Sequence, residues 1–389
     1  MKRIIIIQLT MAMALIGCGR ETSSSSARRS ESSIARDWPI FRGDQAMTGV
    51  TAGELPAEPK LRWRLATGGS IRSSAVIAGG RVFIGSDDAN VYAIDATTGK
   101  KVWVFKAGDA VEAPPTVVDG VVYVGADDGV LYAIDAAKGE LRWKYAAGDK
   151  ITGAANFVRM AGGELRIVVG SYDNRMHCVD AARGKAVWTA DSGNYINGAP
   201  AVTGDDAAGS ARVLFGGCDG LLHVLDARDG STIRQIDAGG YVAGNPAVAG
   251  DRAYLGNFDN KVLCIDTHEG AIVWSYADRE FAYYSSPAIG EKLIVIGGRD
   301  KRVHAIDRAS GKAVWTFPTR GAVDGSPVIC AEQVVCASDD GNLSIVGLAD
   351  GALRWSYEVG ESMAGSPAVG GGLIVVGDEA GVVWAFGAE

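Results

Sequence analysis

The chain has 389 residues, of which 47% are hydrophobic and 22% charged, and its formal net charge at pH 7 is −8. This acidic balance disfavours nucleic acid and anionic lipid surfaces as partners, because like charges repel. No G-x-S-x-G, H-E-x-x-H or phosphate-binding-loop pattern occurs in the sequence, so no common catalytic motif indicates an enzyme.

The first residues are typical of an exported protein. Lys2 and Arg3 precede an apolar stretch, residues 4–16, that is too short to span a bilayer. The stretch ends in Leu-Ile-Gly-Cys18, which resembles the bacterial lipobox, in which the cysteine becomes the lipidated first residue. We therefore predict a lipoprotein signal peptide over residues 1–17 and lipidation at Cys18; the alternative is an ordinary secretory signal. Gly19, where aspartate would favour the inner membrane, predicts an outer-membrane location on the periplasmic face.

Two short segments separate this signal from the rest of the chain. Residues 18–36 are polar and serine-rich, which predicts a flexible tether. Residues 37–60 form a leader segment that contains the run Asp-Trp-Pro-Ile-Phe-Arg-Gly-Asp. We expect the tether to hold the folded remainder of the chain to the membrane.

A tryptophan recurs at intervals of about forty residues after this leader. Arg234 stands at the one position in the series where a tryptophan is missing. Sequence repeats of this length, with strands in each unit, are typical of a β-propeller. The recurring residues are Trp63, Trp103, Trp143, Trp188, Trp274, Trp315 and Trp355.

Each unit contains four short runs of β-branched and aromatic residues separated by Gly-rich turns, which predicts a four-stranded antiparallel blade. The third strand ends in an aspartate that stands four residues before a glycine, as Asp95 does before Gly99. An aspartate can cap such a turn and a glycine can adopt its positive φ, so we assign these aspartates a structural role. They are Asp95, Asp135, Asp180, Asp226, Asp266 and Asp307.

The number of units predicts an all-β, eight-bladed propeller over residues 61–387. The last unit stops after its third strand, at residues 384–386, whereas residues 61–65 form a fourth strand without a third strand before it. We expect this N-terminal strand to complete the last blade and close the ring without a free edge. The starts of the eight first strands lie near Ser74, Pro114, Ala154, Pro200, Pro246, Pro287, Pro327 and Pro367.

The tryptophans follow the turn at one fixed place in each unit, which suits a ring that packs between neighbouring blades. Burying such a ring is worth roughly 3–5 kcal/mol relative to alanine. We therefore predict that they dock the blades. The junction that contains Arg234 is then either the weak one in the ring or is compensated by other contacts.

The histidines, Asp-Asp pairs and cysteines that could form a catalytic or metal site are explained by their positions in the repeat or by their spacing. His177, His223 and His304 occupy the strand position that holds Tyr92 and Tyr132 in other units. The Asp-Asp pairs, such as Asp87-Asp88, lie in hairpin turns and lack the further oxygen ligands that calcium needs. The cysteines show no zinc spacing and no favourable disulfide pairing. The sequence thus predicts no catalytic residue and no metal site.

Two sets of residues are candidates for binding. One position before each first strand carries a mostly polar series, which we expect to line an axial channel: Arg72, Glu112, Thr152, Asn197, Ala243, Tyr284, Asp324 and Ala364. Aromatic residues are also grouped on three neighbouring connections, and we predict that they form an exposed binding rim; the alternative is packing between long loops. These rim candidates are Tyr195, Tyr241, Phe281, Tyr283 and Tyr284.

The repeat unit, with a strand ending in Tyr-Ala-Ile-Asp followed by Gly-Lys-x-x-Trp, resembles that of pyrroloquinoline-quinone-type (PQQ-like) propellers over residues 61–387. The leader is similar to the Trp-Pro-x-Phe-Arg-Gly-Asp run that precedes many of them. Two branches share this repeat: quinone-dependent dehydrogenases, and non-catalytic lipoproteins similar to outer-membrane protein assembly factor B.

The dehydrogenase branch is generally longer, with cofactor-site insertions and a pair of adjacent cysteines, and no two cysteines are adjacent here. The resemblance therefore favours a lipid-anchored, non-catalytic scaffold without cofactor. Its expected partners are envelope proteins of the outer-membrane barrel assembly machinery. The alternatives are a protein that binds pyrroloquinoline quinone (PQQ) with calcium for oxidation or redox sensing, and a module that binds extracellular polymer or peptide.

Overall fold

The computed structural model describes residues 37–389, so the predicted signal peptide, Cys18 and the tether lie outside the described residues. Two short strands come first, β1 (Val50–Thr51) and β2 (Lys60–Ala66). Within the described range all regular elements are strands, and no helix there is long and apolar enough to cross a membrane.

Eight sheets follow one another along the chain and form the blades. Blade 1 contains β3 (Val76–Ala78), β4 (Arg81–Ser86), β5 (Asn90–Asp95) and β6 (Lys101–Lys106). Blade 2 contains β7 (Thr116–Val118), β8 (Val121–Gly125), β9 (Val130–Asp135) and β10 (Leu141–Ala146). Blade 3 contains β11 (Asn156–Arg159), β12 (Leu165–Gly170), β13 (Arg175–Asp180) and β14 (Lys185–Asp191). Blade 4 contains β15 (Ala201–Thr203), β16 (Arg212–Gly216), β17 (Leu221–Asp226) and β18 (Thr232–Asp237).

The second half of the ring repeats this plan. Blade 5 contains β19 (Ala247–Ala249), β20 (Arg252–Gly256), β21 (Val262–Asp266) and β22 (Ala271–Tyr276). Blade 6 contains β23 (Ala288–Ile289), β24 (Leu293–Gly298), β25 (Arg302–Asp307) and β26 (Ala313–Pro318). Blade 7 contains β27 (Val328–Cys330), β28 (Gln333–Ala337), β29 (Asn342–Gly347) and β30 (Leu353–Glu358). Blade 8 contains β31 (Ala368–Gly370), β32 (Leu373–Gly377) and β33 (Val382–Gly387), with β2 as its fourth strand.

The ring closes as the sequence predicts. Strand β2 pairs antiparallel with β33, with Leu61 opposite Phe386 and Leu65 opposite Val383. The first and last parts of the propeller therefore share one blade, and the eight-bladed fold is confirmed. Blade 7 differs in detail, because β1 adds a fifth strand, parallel to β27.

Within a blade, burial falls from the inner strands to the outer one. In blade 2 every residue of β8 is buried, whereas β10 alternates between exposed and partly buried residues. A register shift between Leu141 and Trp143 interrupts the pairing of β10 with β9, and the other blades carry the same irregularity. Such a bulge re-aims the side chain that follows it, here the tryptophan position.

A recurring turn joins the third strand of a blade to the fourth and also contacts the preceding blade. In blade 2 the Asp135 carboxylate accepts hydrogen bonds from the backbone N–H groups of Ala137 and Lys138, both at 3.0 Å. Gly184, in the same turn of blade 3, has a φ of +65°, and a Cβ there would lie 2.6 Å from the Trp143 ring. The glycine is thus required by backbone conformation and by close packing.

The tryptophan side chains lie between blades. Trp143 of blade 2 donates its indole N–H to the Ala181 carbonyl of blade 3 at 2.8 Å, and the two blades share a hydrophobic cluster that includes Tyr123 and Ile167. The same indole-to-carbonyl bond connects five other junctions, from Trp63, Trp103, Trp188, Trp274 and Trp315. Trp355 instead packs edge-on against Phe386 of blade 8, with ring centroids 5.6 Å apart.

The leader runs around the inside of the ring. Its backbone forms hydrogen bonds in succession with the first strands of six blades, namely blades 1, 2, 4, 5, 6 and 7. The leader residues that make these bonds are Trp38, Pro39, Gln45, Ala46, Thr48 and Gly49. Arg42 lies at its centre, only 1% exposed, and donates to the carbonyls of Pro287 and Ser326, each at 3.1 Å. Burial lowers the pKa of Arg42 to about 9. The leader therefore closes the axial channel at one end.

Candidate functional site

The closed channel forms a cup that opens on the opposite side of the ring. Its cavity has a volume of about 310 Å³, with Phe41 of the leader among the residues that line it. The structure places the whole series predicted to line the channel around this cavity, including Arg72, Glu112, Asn197 and Asp324. No histidine lines the cavity in the described part of the chain.

A second set of residues surrounds the cup mouth, and the sequence analysis missed it. These residues follow the second strand of each blade, and the backbone N–H of each donates to the neighbouring connection, as Asp127 does to Ala110. They are Asp87, Asp127, Tyr172, Cys218, Phe258, Arg299, Asp339 and Glu379. The signal was available in the repeat: the first residue of each Asp-Asp pair occupies this position.

The second residue of each Asp-Asp pair does serve the turn. Asp88 accepts hydrogen bonds from the backbone N–H of Gly68 and from the hydroxyl of Tyr92. The corresponding contact in blade 2 joins Asp128 to Tyr132. The hairpin interpretation of these pairs therefore holds for the second aspartate, whereas the first faces the mouth.

Cations of the mouth are already paired with carboxylates of the chain. Arg72 donates to Glu112 at 2.8 Å and lies 3.5 Å from Asp87. On the other side Arg299 forms a two-pronged contact with Asp324, with nitrogen–oxygen distances of 2.8 and 3.0 Å. These pairs fix the side chains of the cup wall and leave little positive charge free for a ligand.

Acidic residues form an arc over four consecutive blades, and we call Asp339, Glu379, Asp87 and Asp127 the acidic arc. Burial raises the pKa of Asp339 to about 6, with Asp324 and Glu379 adding to the effect. Burial also raises the pKa of Asp87, and Arg72 opposes this shift. Within residues 37–389, one carboxylate oxygen of Asp87 and one of Asp127 are buried without a hydrogen-bond partner. Asp127 is paired with Lys150 and Asp87 with Arg72, whereas Asp339 and Glu379 have no ion-pair partner among the described residues, so the negative charge of the arc is only partly neutralised.

Aromatic residues occupy the remaining part of the mouth, and we call Tyr172, Tyr195, Tyr241, Phe258 and Tyr284 the aromatic arc. Tyr172 and Tyr195 stack with centroids 5.0 Å apart, and Phe258 meets Tyr284 edge-on at 6.0 Å. The Arg299 guanidinium lies 4.8 Å from the centre of the Tyr284 ring. Tyr195 is 47% exposed and Tyr241 56%, so this arc presents apolar surface to solvent.

Tyr283 was wrongly predicted to lie on the exposed rim. It is 2% exposed, and its ring packs against Tyr276 and His304. The physical reason is its place in the repeat: its backbone N–H bonds to Asn257 as that of Val242 bonds to Gly217 in the preceding blade, and this position is buried. Phe281, on the same connection, is 50% exposed.

The three strand histidines lie beside aspartates four residues earlier. His177 contacts Asp173, His223 contacts Asp219 and His304 contacts Asp300, with nitrogen–oxygen distances of 3.1, 2.7 and 3.0 Å. This arrangement matches that of Tyr92 with Asp88. The cysteines of the described region are free, and burial raises the pKa of Cys336 to about 12, which makes that thiol unreactive.

A family model described as "Outer membrane protein assembly factor BamB" matches residues 48–165, 154–207, 206–298 and 281–389. A comparison with curated proteins gave no match.

Among solved structures, BamB from Moraxella catarrhalis is similar with a TM-score of 0.71 and 17% identity, over 85% of this chain and 100% of that one. Quinohemoprotein alcohol dehydrogenase from Comamonas testosteroni is similar with a TM-score of 0.76 and 16% identity, over 94% of this chain and 82% of that one. The computationally designed Ika8 protein is similar with a TM-score of 0.72 and 15% identity, over 86% of this chain and 100% of that one. Identities this low show a shared fold alone.

Proposed function

The chain belongs to the family described as outer membrane protein assembly factor BamB, and on that premise we propose that it is a non-catalytic scaffold of the bacterial envelope. In this proposal Cys18 carries the lipid that holds the propeller to the outer membrane, on its periplasmic face. The open cup mouth binds another envelope protein, a component of the machinery that assembles outer-membrane proteins.

The observation that carries this proposal is the asymmetry of the mouth. Repeat packing alone would place similar residues in every blade, yet aromatic residues occupy blades 3 to 6 and carboxylates occupy blades 7, 8, 1 and 2. Exposed aromatic rings are the side chains that most often dominate protein interfaces. An adjoining acidic arc attracts lysine and arginine and fixes orientation. The mouth therefore suits a polypeptide with an apolar segment next to a basic one.

The chemistry of the cup also bears on the redox alternative. PQQ carries three carboxylates, which require cationic partners. The cup supplies Arg72 and Arg299, and both are paired with carboxylates of the chain itself. Glu112, Asp324 and the acidic arc add negative charge around them. These residues do not fit a tricarboxylate that binds without a metal ion, and we assign no redox step to the protein.

The test is site-specific photo-cross-linking in the intact envelope with the full-length chain. A photoreactive residue replaces Tyr241 in one variant and Leu353 in the control. Leu353 is 52% exposed on the outer strand of blade 7, so the two side chains have similar access to solvent. We expect position 241, and not 353, to cross-link to a component of the barrel assembly machinery.

A functional measurement accompanies the cross-linking. We expect the double variant Tyr195→Ala/Tyr241→Ala to lower the amount of assembled β-barrel protein in the outer membrane. The matched control, Val102→Ala/Val314→Ala, removes apolar side chains of similar fractional exposure from outer strands and should leave the amount unchanged. Equal cross-linking at both sites would contradict the proposal, as would saturable binding of PQQ with calcium or of an extracellular polymer to the same rim.

A further inference from the structure

A cluster of potential metal ligands lies at the junction of blades 5 and 6. Asp278, Asp300 and His304 each place one ligand atom within 4.8 Å of the others. His304 is completely buried and the Asp300 side chain is 3% exposed, whereas Asp278 reaches the surface. The spacing of these residues in the sequence does not indicate a metal site, because Asp278 comes from the preceding blade.

The His304–Asp300 pair alone does not indicate a metal. The same pair occurs in blades 3 and 4, and blades 1 and 2 use tyrosine in place of histidine. An aspartate four residues before this strand position is thus part of the repeat. A metal site in blade 6 therefore requires ligands or unpaired groups that the other blades lack.

Two features set the cluster apart. Asp278 stands where the equivalent connections have Ala107, Ala147, Ser192 and Ala238, so a third ligand is present only here among these blades. In addition, the second carboxylate oxygen of Asp300 is buried and has no hydrogen-bond partner within residues 37–389. Leaving such a group buried and unpaired is unfavourable, and a bound cation would remove that penalty.

The geometry suits a small divalent ion. The His304 Nε2 atom lies 3.0 Å from Asp300 Oδ1, close to the spacing of two ligands that are each about 2.0–2.2 Å from one metal. The Tyr276 hydroxyl contacts Nδ1 at 3.0 Å and fixes the orientation of the imidazole. Arg302 approaches Asp278 at 3.3 Å, and this contact must open before Asp278 can turn towards the ion.

We propose that Asp278, Asp300 and His304 bind one divalent transition-metal ion of the zinc class, at a site separate from the cup mouth. One imidazole and two carboxylates favour Zn²⁺ over Ca²⁺, because calcium prefers oxygen ligands alone. The remaining coordination positions face solvent on the Asp278 side. The ion would tie the outer end of blade 5 to blade 6.

The experiment uses the full-length chain, purified in detergent and freed of metal, and titrates it with Zn²⁺ alone by calorimetry. We expect about one equivalent to bind, and to raise the melting temperature because the ion binds the folded state. Asp278→Ala introduces the residue that other blades already carry and should weaken binding at least tenfold. His304→Tyr introduces the residue of blades 1 and 2 and should abolish it.

The control is His223→Tyr in blade 4, where the histidine–aspartate pair lacks a third carboxylate. It should leave Zn²⁺ binding unchanged. Wild-type protein that binds no Zn²⁺, or Asp278→Ala protein that binds as tightly as wild type, would overturn the proposal. These outcomes can be told apart from those of the scaffold test, because that test changes Tyr195 and Tyr241, which lie on the two preceding connections and are not among the proposed ligands.

Discussion

The junction between blades 4 and 5 is the one at which the predicted tryptophan is replaced, and Arg234→Trp should strengthen it. Arg234 lies over Gly270 as the tryptophans lie over their glycines. Its guanidinium makes one long hydrogen bond, 3.3 Å to the Glu269 carbonyl, and its Nε atom is buried without a partner in the described region. A cleft of about 840 Å³ opens beside it.

The expected gain follows from these contacts. Removing an unpaired buried donor recovers about 1–3 kcal/mol. A tryptophan here would also place its N–H near the Thr267 carbonyl, the equivalent of Ala181 for Trp143, which adds about 1 kcal/mol. Imperfect packing of the larger ring offsets part of this gain in the free energy of unfolding. We expect a net stabilisation of about 1–3 kcal/mol, or a rise in melting temperature of roughly 1–4 °C for a folded body of this size.

The assay is thermal unfolding followed by tryptophan fluorescence, together with limited proteolysis to locate the first region to open. Trp274→Arg, in the next junction, is the matched reverse change. It removes the bond from Trp274 to the Arg308 carbonyl at 3.0 Å and should destabilise the protein by about 2–4 kcal/mol. A neutral or destabilising Arg234→Trp variant, beside a destabilising Trp274→Arg variant, would refute the idea that the tryptophan position has equivalent roles in both junctions.

Two further predictions concern charged groups of the cup. The pKa of Asp339 is raised to about 6, so the folded state favours its protonated form and loses stability as pH rises from about 4 through 6. Asp339→Asn should therefore be more stable than wild type by about 1 kcal/mol at pH 8, after solvent screening, with no difference near pH 3.5, as urea unfolding would measure. Arg42→Ala should leave two buried carbonyls unpaired at a cost of about 2–4 kcal/mol. Proteases should then cleave the leader faster than the blades, and equal cleavage of both would argue against the leader as a plug.

Some features of the site could have been found by a stricter use of the repeat. Tyr283 and Tyr284 are adjacent in sequence, but one is buried and the other faces the mouth because they occupy different repeat positions. Aligning Tyr283 with Val242 would have predicted its burial. Similarly, Tyr172 and Phe258 stand at the repeat position of Asp87, so the sequence already contained the second set of mouth residues. It did not show that their side chains face the mouth.

The sequence by itself determined the all-β class, the eight blades and the closure of the ring by residues 61–65. These features depend on strand alternation, turn residues and a repeat of about forty residues, all of which are local and recur along the chain. The tertiary structure alone decided the path of the leader, the closed end of the cup and the separation of the acidic and aromatic arcs. Those features arise where residues from all the blades converge on one axis, and where a segment without a repeat packs against them. The contacts are long-range, so no local pattern specifies them.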